Sequence, residues 1–314
     1  MQPELNGILL VDKPAGITSA KVVARIKKIF GARKVGHAGT LDPFATGILL
    51  CCINRATKLA RFLLHNNKKY EAVLHLGIET DTQDSTGIVI STCDDVLFSE
   101  IKIRSVFNQF EGSIEQIPPV YSALKWKGTP LYKLARSGKP FQKAARRITI
   151  FNIEILGIHL PLIHFSISCS AGTYIRTLCS DIGKFLGCGG HLKELRRIQS
   201  GGFSITEAVK LSELENFALS EKISDRIISM SNALQDMPEH IADKGLAEKI
   251  MHGNIITKKE LRPVHIDSPE GFIKIVTINN DLIAVLKDTK DWISKRFHEQ
   301  KISYLKRGGK KNWF

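Results

Sequence analysis

A chain of 314 residues with 43% hydrophobic side chains can bury a sizeable core, and its length favours one large domain plus a smaller one. No stretch approaches the ~20 apolar residues of a membrane span, and the start MQPELNGILLVDKPAG lacks the pattern of a secretory signal, so a cytoplasmic protein is expected. The net charge of +14 favours a polyanionic partner, most simply a nucleic acid.

In chain order, Gly7 to Val11 reads as a strand and Asp12 to Gly16 as a turn. Thr18 or Ser19 can cap a helix running to about Phe30, with Val22, Val23, Ile26, Ile29 and Phe30 on one face and Gly31 as its stop. Arg25, Lys27, Lys28, Arg33 and Lys34 crowd the same region, either as a solvated basic face or as phosphate contacts. Gly47 to Ile53 reads as a short buried strand, Arg55 to Leu64 as a helix, and Lys69 to Leu76 as a strand by its alternation.

TDTQDSTG (80–87) reads as a polar loop, Ile88 to Ser91 as a strand and Ser99 to Phe110 as a helix. PPVYSALKWK (118–127) reads as extended, Pro130 to Arg136 as a short helix, and Ile148 to Leu156 and His164 to Cys169 as strands. Thr173 to Leu186 is amphipathic, with Ile175, Leu178, Ile182 and Leu186 inward and Gly187 as its stop. Leu192 to Ile198 and Gly202 to Ile205 return to strand. Ser212 to about Pro238 reads as a polar, helical bridge into a second unit. There Ala247 to Gly253 ends a helix, and Ile273 to Ile278 and Leu282 to Leu286 form a hairpin around Asn279-Asn280-Asp281. The tail KRGGKKNWF is basic and glycine-rich and is expected to be mobile and to touch RNA. Strands in runs with separated helices give an α+β fold with a large mixed or antiparallel sheet.

The six cysteines form no CxxC pair, which favours reduced thiols and disfavours zinc. The densest chemistry lies in GHAGTLDPFATGILL (36–50). Asp42-Pro43 reads as a turn, glycines around it allow close approach of a ligand, and the following apolar run offers a low-dielectric wall. A carboxylate in such a place stays ionised only if a cation holds it, and Arg176 is a candidate. His37, on the same loop, is a candidate acid, base or phosphate donor. Tyr70, after two lysines, can stack on a base or pack in the core. Asp81 or Asp84 could supply a second carboxylate, as glycosidase chemistry requires, or could belong to an ordinary turn. Neither phosphate-loop glycine pattern is present.

Six segments together resemble the TruB family of tRNA pseudouridine synthases: GILLVDKPAGITS (7–19), KVGHAGTLDPFATGILL (34–50), KKYEAVLHLGIETDTQDSTG (68–87), IPPVYSALKWKG (117–128), GTYIRTLCSDIG (172–183) and HLKELRRI (191–198). They keep the family's order and cover residues 5 to about 215. The region 240–305 resembles, more weakly, the family's small β-rich RNA-binding module of PUA type. The resemblance implies a catalytic domain over 1–236, a PUA-like domain with basic tail over 237–314, and conversion of uridine to pseudouridine at position 55 in the tRNA T-loop, with an accompanying role in tRNA folding. It implies Asp42 as the catalytic aspartate and Arg176 as its charge partner. Tyr70 would stack on the uracil, His37 would contact the flipped nucleotide, and Tyr174 and Leu195 would line the pocket. Lys13 would buttress the active-site loop, and Asp84 would make a polar contact around His37.

The base would leave its N1–C1′ bond, turn and reattach through C5. Nothing is oxidised and no group is carried, so no cofactor is expected. Asp42 could attack C1′ to form an ester or remove the C2′ proton to give a glycal. The rival readings are a non-catalytic RNA-binding or tRNA-folding protein, a nucleoside hydrolase, and a guide-RNA-dependent synthase. The compact length favours a stand-alone enzyme working on the T-arm and elbow of tRNA, as a monomer and without guide RNA.

Overall fold

The computed structural model describes residues 4–214, 216, 225–254, 256, 258–261, 271–287 and 295–296. The chain divides into two compact units, one of residues 1–5 with 9–227 and the other of 6–8 with 228–314.

The first unit is built on β1 (Gly7–Lys13), β2 (Val35–His37), β3 (Thr46–Ile53), β4 (Lys68–Leu76), β5 (Ile78–Thr80), β6 (Val89–Thr92), β7 (Gly112–Gln116), β8 (Lys125–Trp126), β9 (Thr129–Pro130), β10 (Arg146–His159), β11 (Leu162–Cys169), β12 (Gly190–Ser200), β13 (Phe203–Ser204) and β14 (Val209–Lys210). Its helices are α1 (Ser19–Ile29), α2 (Ala60–Leu64), α3 (Glu100–Asn108), α4 (Leu131–Arg136) and α5 (Ile175–Leu186). The main sheet runs β14-β1-β3-β12-β4-β11-β10-β7. Strand β12 is its hinge in sense: it lies parallel to β3 and antiparallel to β4. The sheet is therefore mixed, as the strand-rich pattern implied.

Two apolar clusters flank that strand. One gathers Leu74, Phe107, Phe165, Leu178 and Ile182 from β4, α3, β11 and α5. The other gathers Leu9, Val11, Val22, Ile26, Leu49 and Val209 from β1, α1, β3 and β14. Each fully buried leucine or isoleucine contributes about 2–3 kcal/mol of transfer free energy.

Local chemistry explains the helix ends. Thr18 caps α1 by accepting from the Lys21 amide, and Ser99 does the same for α3 through Lys102. Gly187, at φ +90°, closes α5 in the left-handed region. The expected helix 55–64 is two pieces, a 3₁₀ turn over Asn54–Lys58 and then α2. Asn54 starts that turn at φ 49°, with its side chain accepting from Lys34 N and donating to Leu5 O, so the chain is bent before helix can propagate.

In the second unit β15 (Glu239–Ile241), β16 (Phe272–Val276), β17 (Leu282–Lys287) and β18 (Lys295–Arg296) make a four-stranded sheet in that order. Strand β15 is parallel to β16, and β16 and β17 form the expected hairpin. Asn280 takes φ 62° at its turn, and its amide donates to Thr277 O at 2.9 Å. Helix α6 (Lys244–His252) is capped by Asp243 and stopped by Gly253. It buries Leu246 and Ile250 in a core with Ile273, Ile275 and Leu286. Of the bridge expected to be helical over 212–238, Leu214 and Asn216 are α-helical, while 215 and 217–224 lie outside the described residues. From Ser229 on, successive turns at Ser229, Ser231 and Leu234 carry the chain into the second unit, as serine-rich sequence favours. The KRGGKKNWF tail lies outside the described residues.

Candidate active site

The segment around Asp42 is fixed from the side of β1 and α1. The Leu41 amide donates to the Ser19 hydroxyl at 2.9 Å, and that hydroxyl lies 3.0 Å from Leu41 O. The Pro43 carbonyl accepts from the Gly16 amide at 2.8 Å and from Lys13 Nζ at 3.2 Å. Lys13 is fully buried and also donates to Pro14 O and Ile17 O at 2.9 and 2.8 Å, so all three ammonium protons have acceptors. Burial pushes its pKa down to about 8, against the pull of the Asp42 carboxylate. The buttressing role that the resemblance implied for Lys13 thus has a geometric basis. Ser19, a cap candidate, instead pins the residue before Asp42.

Arg176 sits in the first turn of α5 and is 4% exposed, against 32% for the Asp42 side chain. Its Nε lies 2.9 Å from Asp42 Oδ2 and 3.7 Å from Asp84 Oδ2. Its Nη2 donates to Asp42 Oδ1 at 3.4 Å and to Tyr121 O at 2.9 Å, and its Nη1 to Thr82 O at 2.9 Å. The cation is sealed and the carboxylate is open. Burial raises the Asp42 pKa above the ordinary carboxylate value and outweighs Arg176 and Lys13, with Asp84 adding to the rise.

Asp84 is placed differently from expectation. It is not bound to His37. One carboxylate oxygen accepts from Thr82 Oγ1, Thr86 N and Thr86 Oγ1 at 2.8, 2.9 and 2.6 Å, while the other faces Arg176. The Thr-x-Asp-x-Thr loop is a bracket for this carboxylate, and the carboxylate helps to hold the arginine. Asp81, the other candidate, accepts from the Ile88 amide and from the Tyr121 hydroxyl, at 2.8 and 3.2 Å.

Tyr70 lies on β4 and is 8% exposed. It shares one apolar cluster with Leu41, Ala45 and Leu195. Burial raises the pKa of its phenol. Leu195, on β12 opposite Ala72, is 9% exposed. His37 ends β2 rather than lying on a free loop, because Val35 to His37 pair with Cys51 to Ile53. Its Nδ1 is buried without a hydrogen-bond partner among the described residues, and burial followed by the nearby Arg197 charge lowers its pKa, which favours the neutral ring. Tyr174 immediately precedes α5. Gln116 grips its backbone both ways, accepting from the amide at 2.8 Å and donating to the carbonyl at 3.0 Å, and the Arg146 guanidinium lies 4.8 Å from its ring centroid.

Three contributors escaped sequence reasoning: Arg197, Gln116 and Tyr121. Arg197 had a signal. In a strand, residues i and i+2 share a face, so Leu195 inward implies Arg197 inward. It is 1% exposed. Gln116 and Tyr121 act at long range in sequence and carry no local signature.

Residues 27–175 match the TruB family pseudouridylate synthase N-terminal domain, and residues 176–237 match the tRNA pseudouridylate synthase B C-terminal domain. A protein of Syntrophotalea carbinolica named tRNA pseudouridine synthase B is 49% identical over 234 residues, covering 74% of this chain and 76% of that one. One of the same name from Francisella tularensis is 39% identical over 299 residues, covering 95% and 96%. Among solved structures, a chain from the crystal structure of a Cbf5-Nop10-Gar1 complex matches with TM-score 0.75 at 30% identity, over 93% of this chain and 85% of that one.

Proposed function

The chain belongs to the TruB family of pseudouridylate synthases, and on that premise we propose that it isomerises uridine 55 in the tRNA T-loop to pseudouridine, with Asp42 as the catalytic residue. The observation that carries this reading is the Asp42–Arg176 pair. A carboxylate open on one side and ion-paired at 2.9 Å on the other can act on a sugar carbon or its neighbouring proton.

A base inside folded RNA must first leave its stack, at a cost of a few kcal/mol. The net charge of +14 offsets that cost through phosphate contacts. With uridine flipped in, ionised Asp42 either bonds to C1′ or takes the C2′ proton as the N1–C1′ bond breaks. Tyr70 stacks on the freed uracil while it turns, Leu195 and Tyr174 bound its space, and neutral His37 contacts the flipped nucleotide. The base then reattaches through C5 as the Asp42–C1′ bond breaks or the C2′ proton is returned, and C5 loses its proton while N1 gains one. Both courses require Asp42 to be ionised, and the Arg176 charge favours that form against burial.

The catalytic domain is assigned to 1–236, and the 237–314 module is assigned PUA-like RNA contact. The enzyme acts on the tRNA elbow as a monomer without guide RNA; the curated relatives at 39–49% identity carry the name tRNA pseudouridine synthase B. The test uses a tRNA transcript carrying tritium at uridine C5. Wild type should release tritium and place pseudouridine at position 55, while Asp42→Asn should release none and keep its tRNA affinity. Release of free uracil would identify a hydrolase. Tight binding without release by either protein would identify an RNA-binding protein only.

A further inference from the structure

Arg197 is a fully buried cation without a carboxylate partner among the described residues. It stands opposite Tyr70 across the β12–β4 ladder and opposite Gly47 across the β12–β3 ladder. Its Nε donates to Ile48 O at 2.8 Å and its Nη2 to Gly39 O at 3.2 Å. Gly47 makes room for its backbone, and Gly39 lies against its guanidinium. A Cβ at Gly47, where φ is +106°, would overlap the Arg197 backbone, and a Cβ at Gly39 would lie 3.4 Å from Nη1. Arg197 and Tyr70, both buried, are therefore directly opposed side chains on neighbouring strands.

A buried charge is expensive, and a strand arginine kept inside without a counter-ion is not explained by packing. We propose that Arg197 is a positioning residue for the reaction: anchored by the Ile48 and Gly39 carbonyls, its guanidinium holds the Tyr70 phenol and so fixes the ring against which the detached uracil turns. The groups facing Tyr70 are Arg197 from β12, Cys169 from β11 and Asp42 from its loop. Those feeling the Arg197 charge also include His37, Lys13 and Lys68. The inference rests on the uridine-isomerase reading for its kinetic consequence and on geometry alone for the contact.

The experiment measures single-turnover conversion of tRNA by wild type, Arg197→Gln, Arg197→Lys, Tyr70→Phe and the Arg197→Gln/Tyr70→Phe pair. We expect Arg197→Gln to lower kcat about tenfold or more with KM changed less than about twofold, and Arg197→Lys to recover part of that loss. In the Tyr70→Phe background the same change should cost under about twofold, because residues acting as one unit are not additive. An undiminished loss in that background, or a loss confined to KM, overturns the proposal. Should the Gln variant fail to fold, Arg197→Lys carries the same cycle. The contact is read separately on free protein labelled with ¹³C at the tyrosine Cζ. The resonance absent from Tyr70→Phe should move in Arg197→Lys, and an unmoved resonance overturns the proposal. A wild type that converts no tRNA would sink the functional reading instead, leaving the resonance arm to decide the contact.

Discussion

Two buried arginines flank the site, and they are buried for opposite reasons. Arg176 is enclosed with two carboxylates, Asp42 and Asp84, and two carbonyls take its remaining donors. Arg197 is enclosed with carbonyls and a phenol and has no acid among the described residues. The first spends its charge on Asp42, the residue proposed to do the chemistry. The second keeps its charge unneutralised, and after burial, the larger cause, that charge adds to the lowering of the His37 and Lys13 pKa values.

The comparison breaks most sharply at the carboxylate. Asp42→Asn should reduce conversion at least about a thousandfold while tRNA affinity, read by filter binding, changes little; loss of both would make Asp42 a structural residue. Next is its cation. Arg176→Ala leaves Asp42 beside Asp84 without its ion-pair partner, and turnover should fall about a hundredfold with KM nearly unchanged. A change in KM alone would dissolve the pairing. Lys13→Met comes third: it strands the Pro14 and Ile17 carbonyls, leaves Pro43 O with the Gly16 amide alone, and should lower the unfolding free energy by about 2 kcal/mol, seen as a lower denaturant midpoint.

The smallest effect sharpens rather than breaks. The folded-state pKa of Asp42 is raised, so the carboxyl favours the native state most below its ordinary value and that contribution is lost as pH rises through the raised value. Activity runs the other way and rises with ionisation, giving an acid limb above the ordinary carboxylate range. Because Asp84 contributes to the rise, Asp84→Asn should move that limb of kcat to lower pH. A limb that stays in place would remove Asp84 from the electrostatics of Asp42.

Local signals made much of this legible. Asp42 stood out by its proline and glycines, Thr18 by cap chemistry, α5 by its stripe, and β16–β17 by the Asn-Asn-Asp turn. What failed was non-local. Asp84 was assigned to His37 because a polar loop does not announce which distant cation it faces; Thr82 and Thr86, either side of it, were the available clue. Arg197 was passed over because basic residues are read as surface, although alternation from Leu195 placed it inward. The end of the 212–238 bridge, from Ser229 on, shows polarity being read as helix where turn chemistry governs.

The order in which the site comes together follows from its 134-residue span between Asp42 and Arg176. A ribosome delivers the acid long before the base that steadies it. Leu195 and Arg197 follow later still, on the strand that joins the two senses of the sheet. The nascent protein therefore carries the Asp42 carboxylate through 134 residues of synthesis without the arginine that pairs with it. Shortened products ending before residue 176 would be born inert, which keeps incomplete copies from acting on RNA.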